Sequence, residues 1–166
     1  MKLKELELVV RDTTIQYDGR EKIIDNFLEE STEKQHNRPE AFEELLSKYF
    51  SLFRDEKERL ICILLDTKNK IIGIDLVSIG TLNSSLVHPR ELFRKAILAG
   101  ANSVIIAHNH PSNSLDPSSA DIAMAKRLEK CGDILGIQLL DSLIVTFEDS
   151  SDEKGRLLSM RQGDYF

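Results

Sequence analysis

Residues 103–132, SVIIAHNHPSNSLDPSSADIAMAKRLEKCG, carry a strand, a loop and a helix in succession. The run Ser103 to Ala107 is short and apolar, which suits a strand in the middle of a sheet with both faces covered. His108-Asn109-His110 follows directly at its C-terminal end. Along a strand, residues i and i+2 point to the same face, so both imidazoles can converge on one point. Residues 111–117 read as a loop, and Ser118 begins a helix predicted to run to about Cys131 and to stop at Gly132. Asp121, at the start of that helix, returns a carboxylate toward the histidines. Three N/O ligands with a fourth position left for water is how proteins hold a catalytic zinc.

Each part of this stretch also has an ordinary explanation. Ser118-x-x-Asp121 is a capping box, in which Ser118 accepts from a backbone N–H and Asp121 sits at the third helical position. His108 and His110 taken alone are two histidines at a strand end. Their conjunction changes the weighting, because the chain has only four histidines and two fall at ligand spacing where a buried strand meets a loop. Capping and ligation are also compatible, since one Asp121 oxygen can cap while the other faces a metal.

Outward from this centre the chain alternates helices and strands, which predicts an α/β domain with a mixed sheet. Residues 59–80 read as a β-hairpin, LICILLD and IIGIDLVSIG, turning at Thr67 to Lys70. Pro89 opens a helix to about Leu98, stopped by Gly100. His88 just ahead of it suits capping or surface packing rather than a fourth ligand. Residues 136–147 read as a strand pair interrupted around Asp141-Ser142, 148–153 as a solvated acidic loop and 156–160 as a last strand. Upstream, Pro39 begins a helix whose Phe42, Leu45, Leu46, Tyr49, Phe50 and Phe53 form an apolar stripe at core spacing. Residues 6–17 read as one or two strands, 20–30 as a weakly patterned helix and 31–38 as a linker. The predicted division is therefore an N-terminal extension, 1–38, and a main domain, 39–166.

A metal hydrolase also needs a base for the attacking water and a donor for the developing oxyanion. Glu56 and Glu58 stand just before the 60–66 strand, either of them equally at home in a solvated charge run. Glu58 is favoured, because at the strand's edge it can point inward at a fixed angle. Ser118 is a suitable oxyanion donor, with the positive end of its helix behind it.

The chain has 22 basic and 28 acidic side chains, a formal charge of −6. That balance gives no electrostatic footprint for nucleic acid, although it leaves room for a local basic patch. The charged start MKLKELE does not suit a signal peptide, and the longest apolar run, Leu60 to Leu65, is too short to span a bilayer. Cys62 and Cys131 form no CxxC pair and read as packed thiols, which predicts a reducing cytoplasm. A zinc deaminase is disfavoured by the lack of any HxE or PCxxC.

Taken in order, Glu58, His108-x-His110-Pro111, Ser118 and Asp121 resemble the JAMM motif of the JAB/MPN metalloproteases. More narrowly, the chain is similar to bacterial RadC-like proteins in LLDTKNKII (64–72), GTLNSSLVHPREL (80–92), AHNHPSNS (107–114) and GIQLLDSLIV (136–145). The resemblance covers about residues 42–166. It implies a mixed, curved β-sheet flanked by helices, similar to that of cytidine deaminases. It also implies Zn²⁺ bound by His108, His110 and Asp121, with Glu58 as general base and Ser118 stabilising the intermediate. The expected activity is zinc-dependent cleavage of peptide or isopeptide bonds in a peptide or protein substrate. The alternative is a non-catalytic adaptor associated with DNA repair or mobile elements. Two positions depart from the family pattern: Asn113 stands where glycine is usual, and Ser142 where histidine is frequent. The Gly-rich helical hairpins of longer members are not found in residues 1–38.

Overall fold

A computed structural model describes residues 42, 45–47, 57–80, 87–147 and 155–166 of the chain. The expected strands in 6–17, the helix 20–30, the linker 31–38, most of the helix from Pro39, Glu56 and the acidic loop 148–153 lie outside the described residues.

Arg59–Leu65 forms β1, and every one of its seven residues is buried. Such a strand has no solvated face, which places it inside the sheet. The chain then reverses at Asp66, whose Oδ1 accepts from Lys68 N at 2.8 Å and Lys70 N at 2.9 Å. Asn69 takes the left-handed conformation there, φ 57°. The return strand β2, Ile71–Ile79, pairs antiparallel with β1 and completes the expected hairpin. Helix α1, Pro89–Leu98, has proline in its first turn and buries Leu92, Phe93 and Ala96. His88 is its exposed N-cap residue and makes no side-chain cap bond. Strand β3, Ser103–Asn109, helix α2, Ser119–Leu135, strand β4, Gln138–Thr146, and strand β5, Arg156–Ser159, follow.

The five strands lie in the order β2-β1-β3-β4-β5. Only β3 and β4 are parallel, joined through α2, and the other neighbours are antiparallel. The sheet is therefore mixed, and helices cover it. Alternation along β3 divides the core between the two faces. Ile105 and Ala107 pack with Ile61, Ile63 and the helical residues Phe42, Leu45 and Leu46. Val104 and Ile106 pack with Leu92 and Phe93 of α1 and with Met124 and Leu128 of α2. Cys62 is buried on that second face, and Cys131 packs partly against it. Among the described residues, no helix is long and apolar enough to cross a membrane.

The structure differs from the sequence-based expectation in two elements. Helix α2 does not stop at Gly132 but continues through Leu135, and Gly136, at φ 71°, ends it. Gly132 is needed for another reason. The chain folds back so that Ile137 N donates to Gly132 O at 3.0 Å, the long-range bond of a Schellman ending. A Cβ on Gly132 would lie 2.4 Å from Ile137 O. Gly132→Ala is expected to lower stability by about 1–3 kcal/mol through this overpacking, against alanine's better helix propensity. A urea midpoint equal to or above wild type would contradict the close approach.

The second difference is at Asp141-Ser142, where one continuous strand, β4, replaces the expected pair. Val104 faces Leu139 but Ile105 faces Asp141, so the local irregularity is a bulge that inserts Leu140 without ending the strand. The buried Asp141 carboxylate is satisfied by Ser142 N, Ser159 Oγ and Arg161 N. These bonds tie β4 to β5 and the turn after it.

Candidate metal centre

Strand β3 runs two residues further than its apolar stretch, through His108 and Asn109. His110 N then donates to Val145 O at 2.9 Å and so keeps its place beside β4. His108 is completely buried, on the same face as Val104 and Ile106, while His110 is only partly covered. Their Nε2 atoms approach to 2.9 Å.

Asp121 meets them from the first turn of α2. The capping box is present: Ser118 Oγ accepts from Asp121 N at 3.1 Å, and Asp121 Oδ2 accepts from Ser118 N at 2.8 Å. Ser118 Oγ–H also donates to Asp121 Oδ2. Yet the same carboxylate faces both histidines, with Oδ1 at 3.4 Å from His108 Nε2 and Oδ2 at 3.5 Å from His110 Nε2. Capping and convergence therefore coexist on one side chain. Asp121 is 3% exposed, and a carboxylate so enclosed needs partners or a cation to offset its desolvation.

The donor set fits a small divalent cation. Two imidazole nitrogens and a carboxylate are the usual donors to such an ion, and here one ligand atom from each residue lies within 4.8 Å of the others. The tautomer is also prepared. His110 Nδ1 lies 2.7 Å from Ser114 O, an acceptor that requires the proton on Nδ1. For a neutral ring, this turns the Nε2 lone pair toward His108 and Asp121, the usual arrangement behind a ligating imidazole. Asn113 helps present that carbonyl: it adopts φ 59°, and its own carbonyl accepts from Arg156 Nη2 at 3.1 Å. The group His108, His110 and Asp121 can therefore hold a metal ion.

Without a metal, the three groups divide their charge. Burial lowers His108 to about 4, against the pull of Asp121. The hydrogen bond to Asp121 raises His110 above its ordinary value, against burial, with further help from Ser114 and the charge of Glu58. Burial pushes Asp121 up, but His110, His108 and Ser118 together hold it below the usual carboxylate range. For His108, the unfolded chain binds its proton near 6.5 and the folded chain only near 4. Its contribution to stability is thus full above 6.5 and is lost as pH falls toward 4. Asp121 acts in the same direction at lower pH, and His110 in the opposite one. The urea midpoint of chelator-treated protein is expected to fall as pH drops from 6.5 toward 4. A flat profile there would contradict a buried neutral His108.

Glu58 stands immediately before β1. The β1–β3 ladder pairs Leu60 with His108, so continuing its register sets Glu58 opposite His110 on the same face. Its charge makes the smallest of the contributions that raise His110, behind Asp121 and the Ser114 carbonyl. Ser118 is at the site too, but its hydroxyl is engaged with Asp121 in both directions. Sequence reasoning missed Ser114, which acts through a backbone carbonyl and has no signature in residue type. It also passed over Asn109 as a spacer, although a polar residue continuing an apolar strand was a visible signal.

A family model for the RadC-like JAB domain matches residues 36–164, which include Glu58, both histidines, Ser118 and Asp121. Among curated proteins, a UPF0758 protein of Finegoldia magna is 57% identical over 109 residues, 66% of this chain and 46% of the relative. A UPF0758 protein of Staphylococcus carnosus is 43% identical over 127 residues, 76% of this chain and 52% of the relative. The chain thus spans about half the length of these relatives, whose names state no activity. The family match takes in both sides of the histidine–aspartate group and the sheet that carries them, and on it the chain belongs to the RadC-like JAB domain family.

Proposed function

We propose that this domain is a zinc-dependent hydrolase that cleaves peptide or isopeptide bonds in a peptide or protein substrate. The observation that carries the reading is the meeting of two histidine Nε2 atoms and a buried carboxylate at 2.9–3.5 Å, with Glu58 near enough for its charge to act on the more open histidine. A purely structural site has no use for a base on its open side.

His108, His110 and Asp121 would hold the ion. Zinc there supplies a water acidified toward neutrality and a Lewis acid for the scissile carbonyl. Glu58 takes the proton of the attacking water and returns it to the leaving amine. Ser118, once its hydroxyl turns from Asp121, donates to the developing oxyanion at the positive end of α2. In this reading residues 39–166 are the hydrolase domain and 1–38 an extension ahead of it. The free thiols Cys62 and Cys131 fit a reducing compartment such as the cytoplasm.

Purified protein is expected to carry close to one zinc per chain. Zinc-loaded protein is expected to cleave members of a library of peptides and isopeptide-linked conjugates, a chelator to stop this, and added zinc to restore it. A folded wild type that takes up no zinc ends this reading.

A further inference from the structure

The β1–β3 ladder ends at Leu60 and His108. One residue further, the bonding is taken over by a side chain. Asn109 Oδ1 accepts from Arg59 N at 2.7 Å, and Asn109 Nδ2 donates to Lys57 O at 3.2 Å. The partners fix the orientation of the carboxamide, because a backbone N–H can only donate and a carbonyl can only accept. The two bonds bracket one residue, Glu58. A third reaches Glu58 itself, whose carbonyl accepts from Gly80 N at 2.8 Å. Asn109 is 8% exposed, so water offers little substitute for either bond.

The arrangement answers a geometrical problem. The backbone of β3 leaves β1 at this point and stays with β4 through His110 N and Val145 O. Main-chain pairing with β2 continues through Arg59 and Glu58, but the pairing of β1 with β3 ends at Leu60. The Asn109 side chain extends the link to β3 by one residue, from the opposite face, like a detached peptide group.

We infer that Asn109 is a positioning residue that fixes Glu58 across from His110, so that the motif's middle residue serves the base while its outer residues serve the metal. This rests on the metal-hydrolase reading above, with Glu58 acting on a group held by the histidines. A residue that merely caps the ladder would hold Arg59 and leave the chemistry of the site untouched.

Two measurements separate these roles. The first is amide hydrogen exchange in the metal-free protein. Asn109→Ala is expected to speed exchange at Arg59 by about 10-fold, the worth of one hydrogen bond, while Ile61 and Ile63 keep wild-type protection. The second is the pH midpoint of the visible absorption of the Co²⁺-loaded protein. Replacing the carboxylate by a neutral amide, Glu58→Gln, is expected to lower that midpoint by about one unit, since a nearby negative charge opposes loss of the proton. Asn109→Ala should move it the same way by at least half as much, and the double variant should match Glu58→Gln alone, because both changes act through one group. Asn109→Ser stands in if the alanine variant does not fold.

Unchanged protection at Arg59 overturns the assignment. So does faster exchange with the cobalt midpoint left at its wild-type value, or a double variant whose shift is the sum of the two. A wild type that takes up no cobalt sinks the metal-centre reading and this one with it. A wild type that takes up cobalt but fails any of the other arms sinks this one alone.

Discussion

Glu58→Gln is expected to lower peptide or isopeptide cleavage by about 10²–10⁴-fold, the usual contribution of a positioned general base, with zinc content unchanged. Glutamine keeps the shape and the backbone bonds of the segment, including the one from Gly80 N to the residue-58 carbonyl. What it loses is the ability to accept and return a proton. Because Glu58 is only half-buried, the exchange costs little stability, and thermal melts of the two proteins should agree within a few degrees. The outcome that counts against the role is specific. Full cleavage by a zinc-loaded Glu58→Gln protein would move the base elsewhere, and loss of zinc together with activity would make Glu58 a ligand instead.

The second large effect is expected at His110. Changes to the residues behind a metal ligand cost about 10–100-fold in affinity, so removing a ligand outright should cost more. His110→Ala protein should therefore purify with almost no zinc. His110 is the better position to test than His108, which is wholly buried and packed on the α2 side of the sheet. Truncating His108 would confound lost ligation with a cavity in the core. The two effects can also be told apart thermally. Zinc should raise the melting temperature of wild type by mass action and leave His110→Ala where it was. Retention of stoichiometric zinc by the variant would remove His110 from the ligand set.

Much of this site was legible in residue types alone. The spacing of His108 and His110 predicted convergence, which holds because His110, just past the end of β3, stays beside β4 through its bond to Val145 O, and Ser118-x-x-Asp121 marked the start of α2. The hairpin of β1 and β2 and the proline-opened α1 were equally readable from their patterns. The misreadings share a cause. Gly132 has the composition of a helix stop, yet its role is to let Ile137 O approach, a contact made by a returning chain that local sequence does not describe. Asp141-Ser142 has the composition of a break, yet its carboxylate is satisfied from β5 and the turn beyond it. Ser114 orients His110 through its carbonyl, which every residue type possesses. Local signals were reliable wherever a neighbour in sequence was also the neighbour in space.

The two halves of the site differ in that respect. His108, His110 and Asp121 all belong to one strand–loop–helix stretch little more than a dozen residues long. Glu58 reaches them only through a hairpin some fifty residues upstream. Closing the longer loop costs about 1 kcal/mol more in chain entropy, and its outcome depends on register, since a slip of one residue would turn Glu58 to the far side of the sheet. In the proposed reading, the residues that would hold the ion come from one local stretch, whereas the residue that would act as base is brought in by long-range strand pairing. The base is therefore the part of the proposed site most exposed to an error of strand register.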